Sequence, residues 1–205
     1  VSGELVVTSI AGMADLLTPV IVSFQSRWPE VQVLFLTDSR VFRLDYGEAH
    51  VAIRAGTGVE DADNVVQPLV RIKTGLYAAR VYVERYGKPA SEAEFAGHRF
   101  VCADSAATRA PFHRWLRATV ATAQIVYAAS EPAALELAVR QGAGIGFLSS
   151  FRTAGDPDLV EILPPREAWE APLRIVTHVD LHRTRKVQAF LSHLKTAAKA
   201  WDLEA

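Results

Sequence analysis

Short apolar runs alternate along this chain with longer stretches in which apolar residues recur every three or four positions. Glu4 to Thr8 reads as an apolar strand. After the tight connection SIAGM, residues 14 to 28 put Leu16, Leu17, Val20, Ile21, Phe24 and Trp28 on one helical face, and Pro29 stops the helix. Val31 to Leu36 is apolar on both faces at its centre, the pattern of a buried parallel strand. Thr37, Asp38 and Ser39 can cap a short helix that Gly47 ends, and Val51 to Ile53 returns as a strand. The order is β-α-β-α-β within about 54 residues.

Extended chain follows from Val65 to Lys73 and from Gly75 to Arg80, broken near Thr74. Tyr82 to Tyr86 is a short helix closed by Gly87; Ser91 with Glu94 has capping-box spacing, and Gly97 ends that helix. Further strands are expected at Phe100 to Ala103, Gln124 to Ala128, Leu159 to Leu163 and Leu173 to His178, with a helix at Phe112 to Arg117. Residues 185 to 201 form an amphipathic helix with Val187, Phe190, Leu191, Leu194, Ala198 and Trp201 inward. The alternation predicts an α/β fold with mostly parallel sheet in two lobes. The last strand and helix could complete either lobe.

The segment from Ser130 to Ser150 contains Gly142, Gly144 and Gly146. They lie after a helix and before an apolar strand. A dinucleotide fingerprint has the opposite order, strand then glycines then helix. These glycines therefore read as a helix stop and a close backbone approach, and no nucleotide cofactor is expected.

Composition narrows the function. The chain has 205 residues, half of them apolar, and a net charge of −1. That is no footprint of a nucleic-acid surface. The basic run HRTRK at 182–186 is short and reads as a solvated helix start. The single cysteine, Cys102, excludes an internal disulfide and fits a reducing compartment. No apolar run reaches the roughly 18 to 20 residues of a membrane-spanning helix. The first residues lack a signal peptide's charged and apolar regions, and they enter a strand almost at once, as a cut domain or a processed chain would. Cys102, His98 and His113 are near one another in sequence, which establishes no nucleophile and base. There is no Gly-x-Ser-x-Gly elbow, and His178 and His182 lack a zinc-ligand pattern. No catalytic residue, metal or cofactor is expected.

Four segments in order resemble one family. GELVVTSIAGMADLLTPVIVSFQSRWPEVQV is similar to the start of the effector-binding domain of LysR-type transcriptional regulators. LDYGEAHVAIRAG resembles that family's Leu-x-x-Gly-x-x-Asp-x-Ala-Ile-Arg segment, with His50 where an acidic residue is common. The 130–150 segment resembles its Ala-x-x-x-Gly-x-Gly-Ile-x-Leu-Leu-Pro pattern, with Ser149-Ser150 in place of Leu-Pro. PLRIVTHVDLHRTRKVQAFLSHL resembles its closing strand and helix. The resemblance implies two Rossmann-like lobes of the type 2 periplasmic-binding-protein kind with a central ligand cleft. Lobe I would be residues 1–73 with 173–205, and lobe II residues 74–172. It implies a cytoplasmic bacterial sensor that forms a homodimer or tetramer and touches DNA only through a helix-turn-helix domain these residues lack. The alternative on the same scaffold is a periplasmic-type solute-binding protein; a third reading is a small enzyme. The upstream coding sequence separates the first two, by a helix-turn-helix or an export signal.

Two strand-to-helix connections are the candidate binding loops, because helix N-termini favour carboxylates and phosphates. One holds Ser9, Ala11, Gly12 and Met13; the other holds Ser130 and Glu131. Both serines could equally cap their helices. Thr37 aligns with a position that faces the effector in the family, and is otherwise a cap or turn residue. Cys102 and Asp104 end a lobe II strand and would point at the cleft mouth, with Asp104 alternatively a turn residue. Phe147 would pack over the effector or belong to the core. Glu131 complements the helix dipole, or faces the cleft and favours an amine. Arg54 could clamp an effector carboxylate or make a surface ion pair. The expected partner is a small molecule, with a carboxylate as one candidate class.

Overall fold

A computed structural model describes residues 1–37, 44, 47–58, 60–104 and 110–201. In chain order its elements are β1 (Gly3–Ser9), α1 (Ala14–Arg27), β2 (Val31–Thr37), β3 (Val51–Ala55), β4 (Asn64–Ile72), β5 (Thr74–Ala79), α2 (Arg80–Tyr86), β6 (Phe100–Ala103), α3 (Pro111–Thr119), β7 (Ile125–Ala129), α4 (Pro132–Arg140), β8 (Gly146–Ser149), α5 (Ser150–Thr153), β9 (Leu159–Leu163), β10 (Ala171–His178), α6 (Val179–His182) and α7 (Arg185–Ala198). The chain divides into two compact units, Val1–Arg71 with Pro172–Ala205, and Ile72–Ala171.

The first unit is built on a five-stranded sheet in the order β2-β1-β3-β10-β4. β1 pairs in parallel with β2 and β3, and β10 runs antiparallel to β3. Leu17, Val20, Ile21 and Phe24 of α1 and Val187, Phe190, Leu191, Leu194 and Ala198 of α7 are buried, as their spacing predicts. Phe24 meets Phe190 edge-on, ring centroids 5.2 Å apart, a favoured aromatic geometry. Leu16, Trp28 and Trp201 are only half-buried, and α7 ends three residues before Trp201. β2 corrects the reading of a buried strand. It is parallel, but it lies at the sheet edge, with Leu34 44% exposed. Asp38, Ser39 and most of the helix expected beyond them lie outside the described residues. Gly47 has φ of +71°, a conformation glycine adopts without a Cβ penalty.

His50 stands where the family often has an acid, and here it completes the sheet. Its backbone N–H donates to the Val6 carbonyl at 2.9 Å, and its Nδ1 accepts the Val6 N–H at 2.8 Å. Burial holds the ring below the usual histidine range, and the nearby Lys186 ammonium pushes the same way.

The second unit has a three-stranded sheet, β8-β5-β9, and a two-stranded one, β6-β7. β5 is antiparallel to both its neighbours, so the parallel pairing expected from the sequence holds around β1 and between β6 and β7 but not in this sheet. The two sheets join where Phe100 bridges Ile145 in parallel; the Val101 N–H donates to Ile145 and the Ile145 N–H to Arg99, both at 2.8 Å. The glycines make that junction possible. Gly142 ends α4 with φ of +78°. A Cβ on Gly144 would sit 2.7 Å from the Arg99 carbonyl oxygen, and one on Gly146 would sit 2.6 Å from Val139 Cγ2. The capping box expected at Ser91 is not formed, since Glu94 reaches the residue before the cap instead of the cap itself. Glu94 accepts the Ala90 N–H at 2.8 Å, but the Ser91 side chain caps nothing.

Candidate functional site

In each unit, parallel strands bring their carboxyl ends to a common edge, where α/β folds place ligands. In the first unit that edge carries Ser9, the last residue of β1, in register with Thr37 on β2 and Ile53 on β3. Thr37 is exposed. Ser9 is only 5% exposed, and its Oγ is buried with no hydrogen-bond partner. After Ile10 the chain makes a single 3-10 turn, Ala11–Met13, in which the Met13 N–H donates to the Ile10 carbonyl at 3.1 Å. The N-cap of α1 is Met13, which supplies no side-chain bond. The capping role considered for Ser9 is therefore not realised. Met13 points into the core, 6% exposed, and can offer a ligand only its backbone. Ala11 and Gly12 form the turn itself.

Arg54 has the quieter of its two roles. Its guanidinium pairs with Glu60, whose carboxylate is 8% exposed and also takes Arg174 at 3.2 Å. Arg174 further donates to the Gly58 carbonyl at 3.0 Å.

In the second unit, β6, β7 and the run into β8 are parallel, so Asp104, Ser130 and the Ser149-Ser150 pair follow strands that end on one side. The Asp104 N–H donates to the Ala129 carbonyl at 2.9 Å, joining the ends of β6 and β7. α4 begins one residue later than expected. Its N-cap is Glu131, whose carbonyl accepts from Ala134 at 3.1 Å and Leu135 at 3.2 Å. Pro132 is the reason: it is preorganised for the first helical position and forces the preceding residue into extended geometry. Ser130 therefore caps nothing, and both Ser130 and Glu131 are exposed.

Cys102 and Phe147 do not reach this edge. Cys102 is fully buried, because the alternation of β6 puts it on the same face as Phe100, in a core with Leu116 and Trp169. Its Sγ lies 3.8 Å from His113 Nδ1, a contact that sequence proximity alone could not establish. Burial pushes the thiol up and brings the His113 ring down to about 4, with the Arg117 guanidinium adding to the latter. The pair is therefore thiol and neutral imidazole near neutral pH, and holds no activated nucleophile. Phe147 is also core, 7% exposed, with ring centroids 5.0 Å from Phe112 and 4.9 Å from Trp169.

His178 and His182 have separate tasks. His178 Nδ1 accepts the Asp180 N–H at 3.4 Å, and His182 Nδ1 lies 2.9 Å from Thr177 Oγ1. Among the described residues, no group of three or more His, Cys, Asp or Glu side chains could hold a metal ion. No helix among them is long and apolar enough to cross a membrane. In sequence, Ser149-Ser150 is only a departure from the Leu-Pro pattern. The structure puts this pair at the candidate edge, with Ser150 Oγ buried and unpartnered.

Residues 1–199 match the LysR substrate binding domain family. Over 83 residues the chain is 31% identical to an HTH-type transcriptional regulator of Xanthomonas campestris pv. campestris (strain 8004), covering 40% of this chain and 24% of that protein. The matched segment is thus about a quarter of that regulator's length. Among solved structures, the regulatory domain of CrgA, a LysR-type transcriptional regulator from Neisseria meningitidis, superposes with a TM-score of 0.80 at 22% identity, covering 96% of this chain and 98% of that one. The effector binding domain of AmpR from Citrobacter freundii gives 0.74 at 13% identity, covering 97% and 99%. The regulatory domain of AphB from Vibrio vulnificus gives 0.73 at 18% identity, covering 96% and 99%. These likenesses show the fold. With the sequence match running almost from end to end over the same elements, the chain belongs to the LysR substrate-binding domain family, the effector-binding regulatory domains of LysR-type transcriptional regulators.

Proposed function

We propose that this domain senses a small carboxylate held at the carboxyl edges of its two units, residues 1–73 with 173–205 acting as lobe I and residues 74–172 as lobe II. The first lobe would contribute Ser9, the backbone of the Ala11–Met13 turn, and Thr37. The second would contribute the Ser130 hydroxyl; the carboxylates of Asp104 and Glu131 would repel such a ligand and take no part in holding it. The observation that carries this reading is the Ser9 hydroxyl, buried without a partner at a strand's carboxyl end. Leaving a buried polar group unpaired costs about 1–3 kcal/mol, and a ligand oxygen would remove that cost.

The mechanism is non-catalytic, in keeping with a family of regulators rather than enzymes. Effector binding shifts the closure equilibrium of the two lobes. In a full-length regulator that shift would alter the placement of DNA-binding domains within a homodimer or tetramer. DNA contact would belong to those other domains.

The test is a thermal-shift screen of the domain against small carboxylates, amino acids, amines and aromatics. A binder present at a hundred times its dissociation constant should add about 2.7 kcal/mol of stability. If Ser9→Ala, Thr37→Ala and Ser130→Ala all leave a hit's affinity intact, the edge assignment is wrong. Light scattering at high concentration tests self-association, and a persistent monomer would overturn that part.

A further inference from the structure

The described residues contain five buried side-chain nitrogen or oxygen atoms without a hydrogen-bond partner, and two of them are serine hydroxyls, Ser9 Oγ and Ser150 Oγ. Their positions correspond. Ser9 is the last residue of a strand in the first unit, and Ser150 directly follows a strand in the second. Each lies on its unit's carboxyl edge.

The surroundings of Ser150 are fixed by the backbone. Its N–H donates to the Lys73 carbonyl at 2.9 Å, and Ser149 pairs across the ladder with Thr74, which is 3% exposed. A proline at 150, as the family's Leu-Pro pattern has, would carry no N–H and could not make that bond. This chain therefore gains two things at one position, a backbone tie between β8 and the start of β5 and a buried hydroxyl with nothing to bind. Thr153 satisfies its own hydroxyl on the Ser150 carbonyl at 3.1 Å, so it does not serve Ser150 Oγ.

We infer that Ser150 is an effector-binding residue that sets ligand preference from the second unit, its hydroxyl donating to an oxygen of a small carboxylate. The inference rests on the proposed sensing function and adds to it a residue whose hydroxyl makes no hydrogen bond in the free domain.

The experiment has two arms. In the first, Ser150→Ala is compared with the parent domain by thermal unfolding without ligand. A hydroxyl that has no partner can be removed at no cost, so the melting temperature should stay the same or rise. A fall of several degrees means the hydroxyl is structural, and the inference is overturned. In the second, acetate, succinate, 3-hydroxybutyrate and benzoate are titrated calorimetrically against the parent, Ser150→Ala, Ser150→Thr and Ser9→Ala. At least one probe should bind the parent, with Ser150→Ala weakening it about tenfold and Ser150→Thr restoring most of the loss. If Ser9→Ala weakens the probe and Ser150→Ala does not, the role of Ser150 falls while the sensing site stands. If no probe binds, or neither alanine matters, the carboxylate site itself falls and takes this inference with it.

Discussion

Ser9 and Thr37 are register partners at the carboxyl ends of adjacent parallel strands, one hydroxyl buried and the other exposed. Paired residues of a parallel ladder project from the same face of the sheet. The two hydroxyls thus belong to one small polar patch with different costs. Ser9→Ala should leave the free domain as stable as the parent or slightly more so, because no partner is lost. The same change should weaken effector binding about tenfold. Thr37→Ala should weaken it less, since an exposed hydroxyl exchanges the ligand for water. Thermal unfolding and calorimetric titration of the two variants check both statements.

Acid should destabilise the domain well above the carboxylate range. His113 titrates at about 4 in the folded state against 6.5 when unfolded. Between those values the unfolded chain holds the extra proton, so stability is fully present above pH 6.5 and is lost as pH falls toward 4. The contribution is about 3 kcal/mol. Burial lowers His50, His98 and His193 as well, which adds in the same direction. Urea unfolding at a series of pH values between 7.5 and 4 should show a steep fall. His113→Gln should flatten it, and an unchanged slope would refute the assignment.

Gly144 and Gly146 should tolerate alanine unequally. At 146 the added Cβ meets a side-chain methyl of Val139, which can give way at some expense in packing. At 144 it meets the Arg99 carbonyl at the Phe100–Ile145 junction, where the backbone is already committed to two hydrogen bonds. Overpacking of this kind costs about 1–3 kcal/mol, and Gly144→Ala should fall at the upper end. Chemical denaturation of both variants measures the difference.

Glu60 holds two guanidiniums, and its loss should be costlier than the loss of either one. Glu60→Ala would leave Arg54 and Arg174 facing each other without the carboxylate between them. Breaking a buried pair from the carboxylate side costs about 3 kcal/mol. Double-mutant cycles with Arg174→Met should recover part of that cost, because removing a cation relieves the repulsion.

Much of this was legible in the chain. The amphipathic faces of α1 and α7 fix their buried residues because the helical period is strict and the core they cover is large. The 142–146 glycines could be read by order alone, since helix then glycine then strand admits no phosphate at a helix start. The site was harder. Glu131-Pro132 marks the start of α4, because a proline at the first helical position places the cap at Glu131 and not at Ser130. Cys102 lies near a strand's end in sequence, but it shares a face with Phe100 and is buried with it, so closeness to the strand end does not bring it to the edge. Ser150 was invisible for a different reason. A hydroxyl without a partner is a statement about every atom around it, and no local pattern encodes that.

The first unit is assembled from both ends of the chain, with Phe24 packed on Phe190 and β10 set between β3 and β4. The second unit is one unbroken stretch. During synthesis the second unit can close while the first still lacks a strand and its longest buried helix face. Until the last helix is made, the part of α1 around Phe24 lacks its Phe190 cover, and that apolar surface is open to wrong contacts.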